Sequence, residues 1–244
     1  MPPLASSLRL LARSVADFVF PPICFGCDTE VDSGMVCDSC RLLLFTSEMD
    51  VCPGCGRPCA SAAATCGLCR VPLSLVRVRA LGMYQEPFRK IIHALKYSEK
   101  TALAELLGGA LALLACQDPL LADADAICAV PLHPARLRER GFNQSELLAA
   151  VVSRETGIPL ERPLRRCKNT RTQTAQSSHE KRRENLKGAF KLMPSVELAG
   201  RRVIVVDDVC TTGATLDAAA QPLLAAGASA VFGLVVAAPG APGS

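Results

Sequence analysis

The chain has 244 residues, half of them hydrophobic, with a net charge of +4, few aromatic residues and no tryptophan. This length accommodates one mid-sized domain and a small one, and the abundance of Ala and Leu fits an α/β core. No stretch of about 20 residues is free of charge, which argues against a membrane-spanning helix.

The first element is an amphipathic helix predicted over residues 4–20. One helical face carries Leu4, Leu8, Leu11, Val15 and Phe18. We expect this face to dock on the protein itself, with a membrane or a partner as the alternative. Charged residues interrupt the segment and no small-residue cleavage site follows, so we predict a cytoplasmic, reducing location. There, 13 cysteines indicate metal binding rather than disulfides.

Four Cys-x-x-Cys pairs follow in a loop-rich region before residue 70. Two residues between thiolates let both sulfurs reach one ion, and two such pairs supply the tetrahedron that Zn²⁺ prefers. Eight ligands predict one or two closed, structural zinc sites. The pairs can combine sequentially or interleave, and their spacing favours the sequential arrangement. The predicted ligands are Cys24, Cys27, Cys37, Cys40, Cys52, Cys55, Cys66 and Cys69.

Periodic α/β patterns begin near residue 75. Strands are predicted over residues 75–84, 126–132, 187–192, 202–206 and 230–237, and helices over 86–97, 101–116, 143–156 and 214–226. Strands that alternate with helices predict a mostly parallel, Rossmann-like sheet. We therefore expect a zinc-ribbon domain over residues 1–75, an α/β domain over 76–238 and a disordered tail over 239–244.

A basic stretch lies within the α/β region. Residues 136–191 contain 14 Lys or Arg and 6 Asp or Glu, a surplus of +8, whereas the rest of the chain sums to −4. Such a segment predicts contact with pyrophosphate, nucleotide or nucleic acid, although any single charge in it can simply be solvated. Residues 162–183 also lack clear periodicity, which is typical of a functional lid or of disorder.

The run V-I-V-V-D-D-V-C-T-T-G-A-T at residues 203–215 is the strongest signal for a binding site. A buried strand delivers two adjacent acids to its carboxyl end, and a turn rich in Thr and Gly then opens a helix. The free N–H groups of such a turn and the helix dipole suit a phosphate. A plain strand-to-helix turn with a capping Thr is the alternative.

This run resembles the phosphoribosyl-pyrophosphate signature of type I phosphoribosyltransferases. The segments V-P-L-H-P-A-R-L-R-E-R-G-F-N-Q-S-E-L-L-A, R-R-E-N-L-K-G-A-F and H-A-L-K-Y, together with the cysteine module, look like the ComF family. The resemblance implies that Asp207 and Asp208 contact the ribose hydroxyls and that Mg²⁺ bridges the pyrophosphate and the ribose. It also implies that the 5′-phosphate is wrapped by Thr211, Thr212, Gly213, Ala214 and Thr215.

The resemblance further implies a pyrophosphate loop after the strand that ends at Leu132. Arg140 and Asn143 are its main candidates, although Asn143 serves equally well as the N-cap of the next helix. Lys96 is a further candidate for the ligand site, or else a solvated helix residue. Residues 171–183 would be a mobile loop that closes over the substrate.

Three functions fit this sequence. One is transfer of a phosphoribosyl group to an unassigned acceptor, with Asp207, Asp208 and Arg140 as the catalytic residues. Another, given the family's association with competence and DNA uptake, is a scaffold that binds single-stranded DNA or the uptake machinery. The scarcity of Tyr and Trp argues against that reading. A third is a regulator that senses the ligand without turning it over.

Overall fold

A computed structural model describes residues 22–45, 50–52, 73–97, 101–170, 179–194 and 196–239. The predicted N-terminal helix, Cys55, Cys66 and Cys69, residues 171–178 of the predicted mobile loop, and residues 240–244 of the tail lie outside this part of the chain. Within it, no helix is both long enough and apolar enough to cross a membrane.

Seven strands and eight helices make up the described residues. The strands are β1 (Arg77–Met83), β2 (Ala126–Ala129), β3 (Leu160–Glu161), β4 (Leu164–Arg166), β5 (Phe190–Leu192), β6 (Arg202–Val209) and β7 (Ala230–Ala238). The helices are α1 (Asp38–Phe45), α2 (Phe88–Tyr97), α3 (Thr101–Gln117), α4 (Pro119–Ala122), α5 (Pro134–Arg140), α6 (Gln144–Thr156), α7 (His179–Leu186) and α8 (Ala214–Ala225).

The main sheet has five parallel strands in the order β1-β7-β6-β2-β3. Strands that are buried on both faces read as continuous apolar runs, as β6 and β7 do here. Alternate residues of β6 serve opposite faces of the sheet: Ile204 and Val206 join the core beneath α2, α3 and α6, whereas Val203 and Val205 join the core beneath α8. The predicted parallel α/β architecture is confirmed.

Two parts of the fold differ from the sequence reading. The strand predicted over residues 187–192 is shorter and pairs antiparallel with β4 in a separate ribbon, so it does not enter the main sheet. Residues 179–183 of the predicted mobile loop belong to helix α7, His179–Leu186. The carboxyl ends of the parallel strands all meet at one edge of the main sheet, and the two-stranded ribbon and α7 lie close to that edge.

Candidate functional site: an acid cavity and a four-sulfur cluster

A cavity of about 300 Å³ opens at the carboxyl edge of the sheet. It is lined by residues from many parts of the fold: α2, the segment after β2, the start of α6, β4, α7, the end of β6 and the start of α8. The charged and polar residues that line it are Lys96, Arg136, Arg140, Gln144, Ser145, Arg166, Thr170, Asn185, Asp207, Asp208, Thr211, Thr212 and Thr215. Eight of the residues predicted for the ligand site therefore lie together: Lys96, Arg140, Asp207, Asp208, Thr211, Thr212, Ala214 and Thr215.

The two acids lie within strand β6, which continues to Val209 rather than ending before them. Both are buried. Because successive strand side chains point to opposite faces, the two carboxylates find different partners. The Oδ1 atom of Asp207 accepts hydrogen bonds from the Ser145 hydroxyl at 2.8 Å and from the Asp208 backbone N–H at 2.9 Å.

Asp208 is neutralised by Lys96, whose ammonium forms an ion pair with its Oδ2 atom. The side-chain amide of Gln144 donates to its Oδ1 atom at 3.2 Å. Burial raises the pKa of Asp208, but the Lys96 ammonium and the hydrogen bonds around the carboxylate together outweigh burial and hold that pKa below its usual range. Lys96 therefore lines the cavity and pairs with a buried acid, rather than being a solvated helix residue.

Asp207 behaves in the opposite way. Burial raises its pKa to about 7, and the neighbouring Asp208 carboxylate adds to the rise. Adjacent acids with pKa values pushed apart are typical of functional sites, because only a ligand or a cation relieves their repulsion. A ligand that brings hydroxyl donors or a bound cation fits this pair.

The turn after β6 leads directly into α8. Gly213 adopts a left-handed conformation with φ 83°, which a side chain would disfavour, and it caps the helix without a side-chain hydrogen bond. The first N–H groups of a helix have no partner within it. One of them, that of Ala214, meets the Thr212 hydroxyl at 3.3 Å. A turn of this kind can present N–H groups and hydroxyls to an anion.

Three guanidinium groups border the cavity. Arg140 donates to the Gln144 side-chain carbonyl at 2.6 Å and lies over the ring of Tyr97 at 5.3 Å. Arg136 donates to the Thr170 carbonyl at 3.5 Å, and Arg166 donates to the Thr170 hydroxyl at 2.6 Å. Burial and the nearby Arg136 charge lower the pKa of Arg166, and its Nε atom is buried without a hydrogen-bond partner. Like charges held together in this way favour an anionic ligand.

Asn143 is the N-cap of α6, which was the alternative to a pyrophosphate contact. Its Oδ1 atom accepts from the Ser145 N–H at 3.1 Å, which makes it the N-cap of α6, and its amide donates to the Val130 carbonyl at 3.1 Å. Its side chain is not part of the cavity lining, so the expected pyrophosphate contact through Asn143 is not what the geometry shows. The cap instead orients Gln144 and Ser145 toward the acids.

The sequence reading missed Gln144, Ser145 and Arg166. The first two follow the recognised cap directly, so the G-F-N-Q-S run itself contained the signal. Arg166 had no signal beyond its place in the basic segment, because only the fold brings β4 to the acids.

The second site is the four-sulfur cluster formed by Cys24, Cys27, Cys37 and Cys40. All four sulfurs lie within 4.8 Å of one another. A zinc tetrahedron with Zn–S bonds of about 2.3 Å has S–S edges of about 3.8 Å, and the Cys27 and Cys37 sulfurs are 3.6 Å apart. The donor set therefore fits zinc, and the sequential pairing is the one that this cluster shows. Cys24 also accepts from the backbone N–H groups of Gly26 and Cys37 at 3.3 Å each.

This cluster packs directly against the α/β domain. A Cβ atom on Gly26 would lie 2.9 Å from the Cys40 sulfur and 2.9 Å from Pro87, just before α2. Asp28 forms an ion pair with Lys90 of α2. Phe25, together with Met35 and Val36, packs against the main hydrophobic core. The cysteine module therefore supports α2, the helix that delivers Lys96 to the acids.

Comparison with known proteins identifies two domain families along the chain. Residues 143–242 match the family described as "Phosphoribosyl transferase domain", and residues 15–70 match "Double zinc ribbon domain". The second match spans all eight predicted cysteine ligands and, with the cluster, supports structural zinc. Among solved structures, the glutamine phosphoribosylpyrophosphate amidotransferase from B. subtilis, complexed with ADP and GMP, matches at 20% identity over 59% of this chain and 30% of that chain, with a TM-score of 0.40.

Three relatives match over most of their length. The DNA utilization protein YhgH of Escherichia coli is 35% identical over 86% of this chain and 94% of its own. Competence protein F of Haemophilus influenzae is 35% identical over 75% and 81%, and competence protein ComFC of Bacillus subtilis is 30% identical over 80% of both chains. The chain belongs to the ComF family, in which a double zinc ribbon precedes a phosphoribosyltransferase-like domain.

Proposed function

We propose that the acid cavity binds phosphoribosyl pyrophosphate with Mg²⁺ and that the protein transfers the phosphoribosyl group to an acceptor. The observation that carries this proposal is that Asp207, Asp208 and the turn at residues 211–215 border one cavity. A ribose that donates its 2′ and 3′ hydroxyls to the two acids would share its cavity with the turn, which is the proposed site of the 5′-phosphate. The cavity volume falls at the lower end of the range for small-ligand sites.

The charges around the cavity divide into two ends. At one end, Lys96 is already paired with Asp208. At the other, Arg136 and Arg166 lie together and the Nε atom of Arg166 is unpartnered, which is the arrangement that a pyrophosphate would relieve. The carboxylate and hydroxyl oxygens of the cavity are hard donors of the kind Mg²⁺ prefers, and the ion would neutralise pyrophosphate charge as that group leaves.

Calorimetry of the full chain with phosphoribosyl pyrophosphate tests the ribose end. We expect binding that requires Mg²⁺ and weakens at least about a hundredfold in Asp207→Asn, because the carboxylate that accepts the ribose hydroxyls is lost. The control is Asp123→Asn, which changes a largely exposed acid after α4 that is paired only distantly with Arg202. Unchanged affinity in Asp207→Asn, or equal losses in both variants, would contradict the proposal.

The pyrophosphate end has its own matched pair, Arg166→Leu and Arg165→Leu. These residues are neighbours on β4, but Arg166 lines the cavity whereas Arg165 is exposed opposite Lys191 on the ribbon. We expect inorganic pyrophosphate with Mg²⁺ to bind at least about tenfold more weakly to Arg166→Leu and nearly normally to Arg165→Leu. The reverse order would show that the anion binds on the outer face of the ribbon.

A second candidate function is binding of single-stranded DNA. The observation that favours it is the outer face of the β4–β5 ribbon, where Arg165 and Lys191 are directly paired in register and Lys168 is joined to the Lys187 carbonyl at 2.7 Å. The competence and DNA utilization names of the relatives point in the same direction. DNA binding that depends mainly on the phosphate backbone of the DNA should weaken steeply with salt. Its affinity should be unchanged in Asp207→Asn and lower in Arg165→Leu, which is the opposite of the pattern expected for a ligand in the cavity.

A further inference from the structure

Asp217 is a buried acid that lies next to the acid cavity without lining it. It belongs to the first turn of α8, and its backbone N–H donates to the Gly213 carbonyl at 2.8 Å. It is therefore one helical turn away from the turn at residues 211–215. A buried carboxylate needs polar partners, and its negative charge would repel an anion held by that turn. The contacts of Asp217 show how both requirements are met.

The two oxygens of this carboxylate accept hydrogen bonds from two distant parts of the chain. Oδ1 accepts from the backbone N–H of Ser74, just before β1, at 2.6 Å. Oδ2 accepts from the guanidinium of Arg183 in α7 at 3.2 Å, and this contact is also an ion pair. Gln221, one turn later on α8, donates to the Ser74 hydroxyl. One acid therefore joins α8 both to the segment before β1 and to α7.

Helix α7 depends on polar contacts of this kind for its position. Its one apolar residue, Leu186, packs against the core beneath α8. Leu186 and its neighbour Asn185 line the acid cavity, so the end of α7 is part of the cavity wall. A short helix without an apolar stripe is marginal by itself and is held by its tertiary contacts. The ion pair with Asp217 therefore helps to fix this wall.

We propose that Asp217 is a positioning residue, which holds the α7 wall of the acid cavity in place relative to the turn at residues 211–215. The effect on ligand affinity rests on the proposed function, whereas the effect on α7 does not. Arg183 has two roles in this arrangement. It anchors α7 to α8, and its charge cancels the one that Asp217 would otherwise place close to an anion.

Hydrogen exchange measured by mass spectrometry on the full chain tests the α7 contact without any ligand. We expect the amides of α7 to exchange at least about tenfold faster in Asp217→Ala and in Arg183→Met, while those of β6 exchange as in the parent. Glu105→Gln, which breaks an exposed ion pair between α3 and Arg154 of α6, is the control and should leave α7 unchanged. Unchanged exchange of α7 in Asp217→Ala, or equal acceleration in β6, would overturn the inference.

Calorimetry with inorganic pyrophosphate and Mg²⁺ separates positioning from charge, because the two predict opposite results. Asp217→Ala removes a negative charge near the turn, so charge alone would raise the affinity for the anion. Loss of the wall should instead lower it about tenfold. The double variant of Asp217→Ala with Arg183→Met restores the charge balance of the parent but should stay about tenfold weaker. Arg183→Lys keeps a cation for Asp217 and should bind within about threefold of the parent.

The parent protein distinguishes a failure of this inference from a failure of the proposed function. If the parent binds neither pyrophosphate nor phosphoribosyl pyrophosphate, the proposed function fails, and faster exchange of α7 in Asp217→Ala still supports Asp217 as the anchor of the wall. If the parent binds both ligands and Asp217→Ala binds pyrophosphate as tightly or more tightly, the positioning role is wrong and the proposed function stands.

Discussion

The four-sulfur cluster and the acid cavity are both built from tight turns and buried polar groups, but they balance charge differently. In the cluster, the four sulfurs lie within 4.8 Å of one another, so a single cation can satisfy them all. In the cavity, the two acids diverge to different partners, and within the part of the chain that the structure describes only Asp208 forms an ion pair. The closed cysteine site contributes to stability. In the open cavity, the repulsion between the two carboxylates remains until a ligand or a cation binds.

The comparison extends to the backbone around each site. The Cys24 sulfur accepts hydrogen bonds from two backbone N–H groups, so those two donors are already occupied by a metal-ligating atom. At the start of α8, the turn closed by Gly213 faces the cavity and opens a helix whose first N–H groups have no intrahelical partner. We therefore expect substitutions in the four-sulfur cluster to affect folding. Substitutions in the acid cavity should instead change stability and ligand affinity independently of one another.

The largest effect should come from Cys24→Ser. Loss of a fully buried ligand removes the ion and releases the apolar residues that the cysteine module packs on the main core. The free energy of unfolding should fall by at least about 4 kcal/mol, because structural zinc binding is coupled to folding. Metal analysis and chemical denaturation measure the two consequences. Cys116→Ser, at an exposed cysteine of α3, is the control and should change neither.

Lys96→Met should have the next largest effect, and it lies in the acid cavity. Removing the ammonium leaves Asp208 buried without its cation, which typically costs about 3 kcal/mol or more. Denaturant unfolding at pH 8 measures the loss. The double variant with Asp208→Asn should recover most of it, because the charge that Lys96 neutralises is then gone. A double variant as unstable as Lys96→Met would mean that Lys96 acts through packing alone.

Asp207→Asn should instead stabilise the protein in a manner that depends on pH. The pKa of Asp207 is about 7 in the folded protein, above its value in an unfolded chain, so the unfolded state binds fewer protons between about pH 4 and 7. Folding stability from this group is thus lost as the pH rises through that window. Asp208 does not add to this change, because its lowered pKa keeps it ionised throughout.

From pH 5 to pH 8, the free energy of unfolding of Asp207→Asn should therefore rise relative to that of the parent by about 2–3 kcal/mol. Urea unfolding at both pH values measures the difference. Greater stability combined with lost affinity for phosphoribosyl pyrophosphate would show that this acid serves the ligand at the expense of the fold. A stability difference that does not change between the two pH values would mean that the pKa of Asp207 is not raised in the folded protein.

The parts that the sequence predicted well are those in which one contiguous run contains the information. The acids and the turn at residues 211–215 follow directly from a buried strand, and the first two cysteine pairs form their cluster through local turns. Arg166 escaped prediction because its position depends on β4 pairing with β5, two short strands within a basic, irregular stretch.

Among the helices that the sequence did not predict, α5 and α7 have no buried apolar stripe to read. Helix α5 has no buried residue, although Pro134 at its start and the cap by His133 are recognisable signals. Helix α7 spans H-E-K-R-R-E-N-L, in which a single apolar residue ends a run of polar ones. Hydrophobic periodicity cannot detect helices of this kind, since tertiary and capping contacts hold them.

The smallest effect should come from Asn143→Ala, which distinguishes support of the cavity from contact with the ligand. The variant loses the N-cap of α6 and the hydrogen bond to Val130, so unfolding should require about 1–2 kcal/mol less free energy. Affinity for phosphoribosyl pyrophosphate, measured by calorimetry well below the melting temperature, should change less than about threefold, because both polar atoms of Asn143 are used within the protein. A loss of affinity much larger than that, with little change in stability, would restore Asn143 as a ligand contact and would mean that α6 starts differently when the ligand is bound.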